Sequence, residues 1–387
     1  MTFGRTGLAV FALFVVSLGY GVVVPTLPTL AGGRDVIPES SLSLIFALYS
    51  TARIACQIPG GLATDRFGPV PMLRLALPLF AATLLGFVLS ADPWVFLVLR
   101  GLEGAATGLV YPACFALALL DGDPAGGGRR LSTVAALGTS GLLLGPALGA
   151  LLPDAPRLAV SVALAPTVGL ALWIWRPGGA RVSPTAVGTR NPPRALREDV
   201  HALIQVGRQV AFLALMAPIA FNKLTFSAFQ GLLPLVGADH WPGEPRRVLA
   251  LFVLIGLVFA LAQPVAGLLA DRLAPRALVR WTTPALLGAL AGLGFVNDFP
   301  PFALLFGLYV FASSIIFTAT MKHGARTFGT EDTYGGVFGL LATLTDLATI
   351  IGPLVFINLY AAWNDGAFLA MAIVGLGFAV FHARRAP

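Results

Sequence analysis

Gly61-Leu62-Ala63-Thr64-Asp65-Arg66-Phe67-Gly68 lies between two long apolar runs, and a related stretch, Gly267-Leu268-Leu269-Ala270-Asp271-Arg272-Leu273-Ala274, returns 206 residues later. Other landmarks keep nearly that spacing. Gln57 and Gln263 each precede the first glycine by four, Pro28 falls on Pro234, Pro69 falls on Pro275, and Gly145-Pro146 falls on Gly352-Pro353 at an offset of 207. A short charged loop between hydrophobic helices, used twice at fixed spacing, predicts two similar halves.

The surroundings of the loop decide the solvent. Of 387 residues, 57% are hydrophobic and 11% charged, against about 25% charged in a soluble domain. That leaves too little polar surface to cover a water-soluble protein of this size, so the lipid bilayer is the expected partner. A spanning helix needs about 20 mostly apolar residues. Twelve such runs can be placed, at about 7–30, 41–63, 71–91, 94–119, 131–152, 158–175, 209–235, 247–269, 277–296, 300–320, 334–359 and 366–383. The fold class is therefore an all-α membrane protein of twelve helices in two pseudo-symmetric six-helix bundles. The N-terminal bundle covers 1–175, a basic, proline-rich cytoplasmic linker covers 176–208, and the C-terminal bundle covers 209–387. The linker's last part, from Glu198-Asp199, reads as a short surface helix. The apolar run after Arg5 continues through Val24 with no small-residue cleavage site and reads as the first span rather than a signal peptide.

The net charge of +7 does not point to nucleic acid, because its location explains it. With the N-terminus inside, loops and tails on that side hold 18 Lys and Arg residues, the opposite loops hold Arg34, Arg157, Arg246 and Arg247, and three cations lie within spans. This split predicts both termini on the cytoplasmic side, and the expected membrane is the cytoplasmic (inner) membrane of a bacterium. Cys56 and Cys114 form neither a disulfide framework nor a metal site, and the four histidines fall in loops or near span ends. No cofactor is expected. There is no Gly-rich phosphate loop and no nucleophile–His–acid constellation, so an enzyme is not expected either, and any work must draw on a gradient.

Four stretches carry further information. Asp65 ends a helix, where its carboxylate can face the positive N-terminal end of a neighbour, with Gly61 and Gly68 allowing close packing and a turn. Arg100-Gly-Leu-Glu103-Gly104 puts two ionisable residues three apart on one face of the fourth span, where a charge normally faces a cavity or a partner. The fifth span contains Gly141-Leu-Leu-Leu-Gly145-Pro146-Ala-Leu-Gly149, in which glycines let helices approach and the proline bends the chain. The first contains Gly19-Tyr20-Gly21-Val-Val-Val-Pro25-Thr-Leu-Pro28.

With these motifs the chain resembles the major facilitator superfamily, and within it the twelve-span drug:proton antiporters. The loop at Gly61, Asp65, Arg66 and Gly68 resembles the superfamily's loop 2–3 signature. Pro69 and Val70 stand where a basic pair usually follows. The resemblance implies that Asp65 latches one conformational state, with Asp271 and Arg272 as the second copy. Arg100 to Gly104 resembles the pattern Arg, two residues, Gln, Gly, with Glu103 replacing Gln. The Gly141, Gly145, Pro146, Gly149 series resembles the antiporter signature and implies efflux. Duplicated secondary transporters of this kind work by alternating access.

Three further ionisable residues lie within spans: Arg53, Lys223 and Asp346. Glu103 and Asp346 are the expected proton-coupling sites, with Arg100 tuning Glu103. Lys223 and Asp346 can alternatively form a structural pair between helices. Arg53 and Lys223 are expected to meet the substrate or the acids, and either could accept an anionic group. Tyr20, Tyr49, Gln57, Tyr111, Asn222, Phe226, Gln230 and Tyr309 punctuate apolar helices and are candidate substrate contacts. The expected function is secondary active transport: proton-coupled efflux of a small amphipathic organic solute, by a monomer. The alternative is a facilitator or importer of a small organic anion or metabolite.

Overall fold

In the computed structural model, which describes residues 4–30, 39–122, 126–138, 140–152, 154–176, 196–330 and 333–385, the apolar runs form helices and no strand occurs among the described residues. Nine of these helices are long and apolar enough to cross a membrane. Exposed large apolar side chains are abundant. Leu89, Trp94, Trp281 and Leu304 are 74–78% exposed, a surface that suits hydrocarbon and would be a liability in water.

The chain forms two compact units. The first comprises Met1–Pro124, Thr133–Leu203 and Gly329–Thr343, the second Ala125–Ser132, Ile204–Phe328 and Leu344–Pro387. Each unit thus takes in a short segment whose sequence neighbours belong to the other.

The first unit is built on α1 (Arg5–Leu30), α2 (Glu39–Phe67), α3 (Pro69–Leu89), α4 (Pro93–Leu119), α6 (Gly141–Leu151) and α7 (Pro156–Trp175). Glycines set the closest approaches. A Cβ on Gly104 would strike the Tyr49 backbone, and one on Gly108 would lie 2.7 Å from the Arg53 carbonyl, so α2 and α4 meet backbone to backbone. A Cβ on Gly145 would lie 2.6 Å from the Cα of Gly21, which brings α6 onto α1. Helix starts carry recognisable signals. Asp92 precedes Pro93, the first residue of α4, and its Oδ1 accepts from Trp94 N at 2.9 Å. The run read as a single fifth span is broken. It comprises α5 (Gly127–Thr133), a π-helical turn at Val134–Gly138, and then α6.

The second unit contains α9 (Val210–His240), α10 (Pro245–Arg272), α11 (Pro275–Leu293), α12 (Phe299–Phe328), most of α13 (Tyr334–Trp363) and α14 (Gly366–Arg385). Its core is aromatic: Phe229, Phe302, Phe306, Tyr309 and Phe368 pack with ring centroids 4.9–6.4 Å apart. The amphipathic α8 (Leu196–Arg208) confirms the short helix expected at the end of the linker; residues 177–195 of that linker lie outside the described residues.

Candidate functional site

The first unit brings four of the predicted residues into one cluster. Arg100 and Glu103, one helical turn apart on α4, are both fully buried, and Arg100 Nη1 donates to Glu103 Oε2 at 2.6 Å. Two tyrosines from other helices cover the guanidinium. Arg100 Cζ lies 4.5 Å from the Tyr49 ring centroid and 5.2 Å from that of Tyr20, and the two rings are 4.6 Å apart. Such stacking suits the weakly hydrated guanidinium better than it would an ammonium. The other carboxylate oxygen, Glu103 Oε1, has no hydrogen-bond partner among the described residues. A charge at the centre of a spanning helix costs about 3 kcal/mol or more, so the pair and its tyrosine cover form an expensive feature in an otherwise apolar helix.

Arg53 and Tyr111 form a neighbouring contact in the same unit. The Arg53 guanidinium lies 5.7 Å from the Tyr111 ring, which packs against Phe115 at 4.6 Å. Gln57 is fully buried. Gly149, like Gly141 and Gly145, is buried, and Pro146 lies exposed beside them on α6.

In the second unit the candidates sit differently. Tyr309 is fully buried in the aromatic core and its hydroxyl bonds Thr225 Oγ1 at 2.7 Å. Asn222 Nδ2 donates to Ser313 O at 2.8 Å. Phe226 packs on the same core. Lys223 Nζ lies 5.2 Å from the Phe317 ring. Asp346 is half-buried on α13. The backbone of Gln230 is part of α9, but its side chain lies outside the described residues.

The loop carboxylates have definite partners. Asp65 Oδ1 and Oδ2 accept from the backbone N–H groups of Gly335 and Gly336, each at 2.5 Å, at the start of α13. Asp271 Oδ1 and Oδ2 accept from Gly128 N at 2.8 Å and Arg129 N at 3.0 Å, at the start of α5. Both satisfy first-turn amides that have no intrahelical acceptor, and both place a negative charge at the positive end of a helix. Arg66 and Arg272 follow the two aspartates as the last basic residues of α2 and α10. Gly68 is left-handed at φ 89°, a conformation that admits glycine at no steric cost, and so turns the chain into α3.

One residue that hydropathy alone assigned to a loop belongs to this machinery. Lys322 is buried on α12, where its Nζ bonds Ala270 O at 2.8 Å and pairs with Asp271 Oδ1. Its signal was available: a lone lysine directly after the apolar run from Phe299.

A duplicated helical membrane protein with a buried charge pair and capped loop carboxylates is the architecture of a transporter, and the sequence pattern of the Major Facilitator Superfamily matches residues 9–353. The chain belongs to that superfamily. It is an integral membrane transporter, not an enzyme. Among its curated relatives, the class C tetracycline resistance protein of Escherichia coli is 27% identical over 380 residues, spanning 93% of this chain and 91% of the relative. The quinolone resistance protein NorA of Staphylococcus aureus is 22% identical over 352 residues, spanning 89% and 87%. Among solved structures, the human organic anion transporter MFSD10 (TETRAN) superposes with a TM-score of 0.75 at 22% identity, covering 97% of this chain and 98% of that one, which supports the shared fold.

Proposed function

We propose that this protein is a proton-coupled exporter of amphipathic organic solutes, working by alternating access in a cytoplasmic membrane with both termini inside. The observation that carries the reading is the buried Arg100–Glu103 pair, in which one carboxylate oxygen holds the guanidinium and the other has no partner among the described residues. A proton added at Glu103 Oε1 would neutralise the acid without displacing Arg100. Its departure would restore the ion pair. A buried group with two such states is what coupling requires, since a proton can drive a conformational change only by binding one state better than the other. The full-length relatives named for tetracycline and quinolone resistance support efflux as the direction. Asp346 is the second candidate acid. Arg53, Lys223 and the tyrosines beside the pair are the candidate solute contacts. In the cycle, the caps at Asp65 and Asp271 form and release as the gates.

The test uses purified protein in liposomes with an imposed pH gradient and tetracycline or norfloxacin as probe solutes. Gradient-driven uptake should be abolished by Glu103→Gln, while counterflow without a gradient persists. Gradient-driven transport that is unchanged in Glu103→Gln and in Asp346→Asn would overturn the coupling.

A second reading has its own observation. The interiors of the apolar runs placed from the sequence hold three cations, Arg53, Arg100 and Lys223, against two acids, Glu103 and Asp346, which suits a facilitator or importer of a small organic anion. Counterflow of organic anions that is indifferent to the pH gradient would favour it.

A further inference from the structure

The linker helix α8 touches the Asp65 cap. Among the α8 residues whose side chains are described, Leu203 alone is buried, at 9% exposure, while Val200, His201, Ala202, Ile204 and Gln205 around it are exposed. Its place is specific. A Cβ added to Gly336 would lie 2.9 Å from Asp65 Oδ2 and 3.1 Å from Leu203 Cδ1. The carboxylate and the leucine methyls therefore converge on the same face of Gly336, the residue whose N–H donates to Asp65. The unit boundary falls between Leu203 and Ile204, so Leu203 belongs with the cap that it covers.

The physical consequence concerns water. A charge-assisted hydrogen bond is stronger where the surroundings are apolar, and weaker where water competes for both partners. Asp65 is only half-buried, so its bonds to Gly335 and Gly336 need cover to persist. Glycine at 336 supplies the room: an added Cβ would crowd both the Asp65 carboxylate and the Leu203 methyl, so one of them would have to shift.

We propose that Leu203 is a positioning residue for the gate, an apolar stopper through which the linker helix keeps water from the Asp65 cap and so sets how long the cap lasts. The assignment of the cap to gating rests on the alternating-access reading above. The stopper itself can be tested without it.

The experiment is amide hydrogen exchange, read by mass spectrometry on the full chain in lipid nanodiscs, with no solute and no pH gradient. The reporter is the peptide containing Gly335 and Gly336, and a segment of α11 serves as control. Leu203→Ala should speed reporter exchange about tenfold by favouring local opening of the cap. Leu203→Met should restore protection, and Leu203→Val should fall between. Asp65→Asn should also speed exchange, and Leu203→Ala should then add nothing. Unchanged reporter exchange in Leu203→Ala would overturn the proposal. So would a Leu203→Ala effect that persists in full beside Asp65→Asn, or an equal rise in α11, which would report general loosening. Failure of proton coupling in liposomes leaves the exchange result standing.

Discussion

Asp65 and Asp271 make the same contact from the two copies of one loop. Each carboxylate accepts two consecutive backbone N–H groups at the start of a helix distant in sequence. The donors are related as well. Gly128 and Arg129 map onto Gly335 and Gly336 at an offset of 207, the offset that relates Gly145-Pro146 to Gly352-Pro353. The duplication therefore extends from residues to the bonds between them. The copies differ at Lys322, which pairs with Asp271, whereas the residue 206 positions earlier is Ala116.

That difference predicts a larger penalty than a lost cap alone. Asp271→Asn removes two charge-assisted bonds and leaves Lys322, whose side chain is 5% exposed, without its counter-charge. Breaking a buried pair from one side costs about 3 kcal/mol or more, while replacing both partners with neutral groups is far milder. Thermal unfolding in detergent should show a pronounced loss for Asp271→Asn and recovery of most of it in Asp271→Asn/Lys322→Met. Recovery of stability need not recover transport, because the cap still lacks its charge.

The same logic applies to the pair on α4, with a different readout. Glu103→Gln should destabilise the protein by about 3 kcal/mol, since the fully buried Arg100 loses its carboxylate. The double variant Arg100→Met/Glu103→Gln should regain stability and remain unable to use a pH gradient. Unfolding midpoints and gradient-driven transport measured on the same preparations separate the structural part of the pair from its proposed coupling role.

How much of this was legible in the sequence depends on what kind of group each contact uses. Arg100 and Glu103 stand three apart on one helix, so their meeting follows from helical geometry. The membrane fold follows from the apolar runs and their repeat. Asp65 could be read as facing a helix start, but the particular donors are backbone amides of Gly335 and Gly336, 270 and 271 residues away. Backbone donors leave no residue-type signature, and only the fold brings them near. Lys322 was counted among loop cations because hydropathy falls there, although α12 continues to Phe328. The π-helical turn at Val134–Gly138 was read as ordinary helix, since an inserted residue in a helical ladder does not alter an all-apolar pattern. Tyr20 and Tyr49 were recognised as out of place in apolar helices. Their role as a cover for Arg100 needed the coordinates.

Tyr309 is where core and contact roles can be told apart. Its ring is fully buried among Phe229 and Phe306, and its hydroxyl meets Thr225, whose own hydroxyl also bonds the carbonyls of Phe221 and Asn222 at 3.1 Å. Tyr309→Phe should therefore cost about 1 kcal/mol and leave solute transport near wild type. Tyr309→Ala should cost about 3–5 kcal/mol as a cavity opens in the core. Equilibrium stability and transport of a probe solute decide the matter. A transport defect in Tyr309→Phe at unchanged stability would make the hydroxyl a solute contact.

Glycine substitutions test the helix packing by contrast. A Cβ at Gly145 would lie 2.5 Å from the carbonyl carbon of Gly21, and one at Gly352 would lie 2.8 Å from that of Leu224, both rigid backbone. Gly145→Ala and Gly352→Ala must push helices apart and should each cost about 2 kcal/mol or more, with lost transport. Gly169, inside α7, has nothing within 4 Å of an added Cβ. Gly169→Ala should instead stabilise the protein by about 0.5–1 kcal/mol through the greater helix propensity of alanine. Opposite signs at chemically identical substitutions, read in one thermal-unfolding series, would show that close approach of α1 to α6 and of α9 to α13 is what the two repeat-related glycines serve.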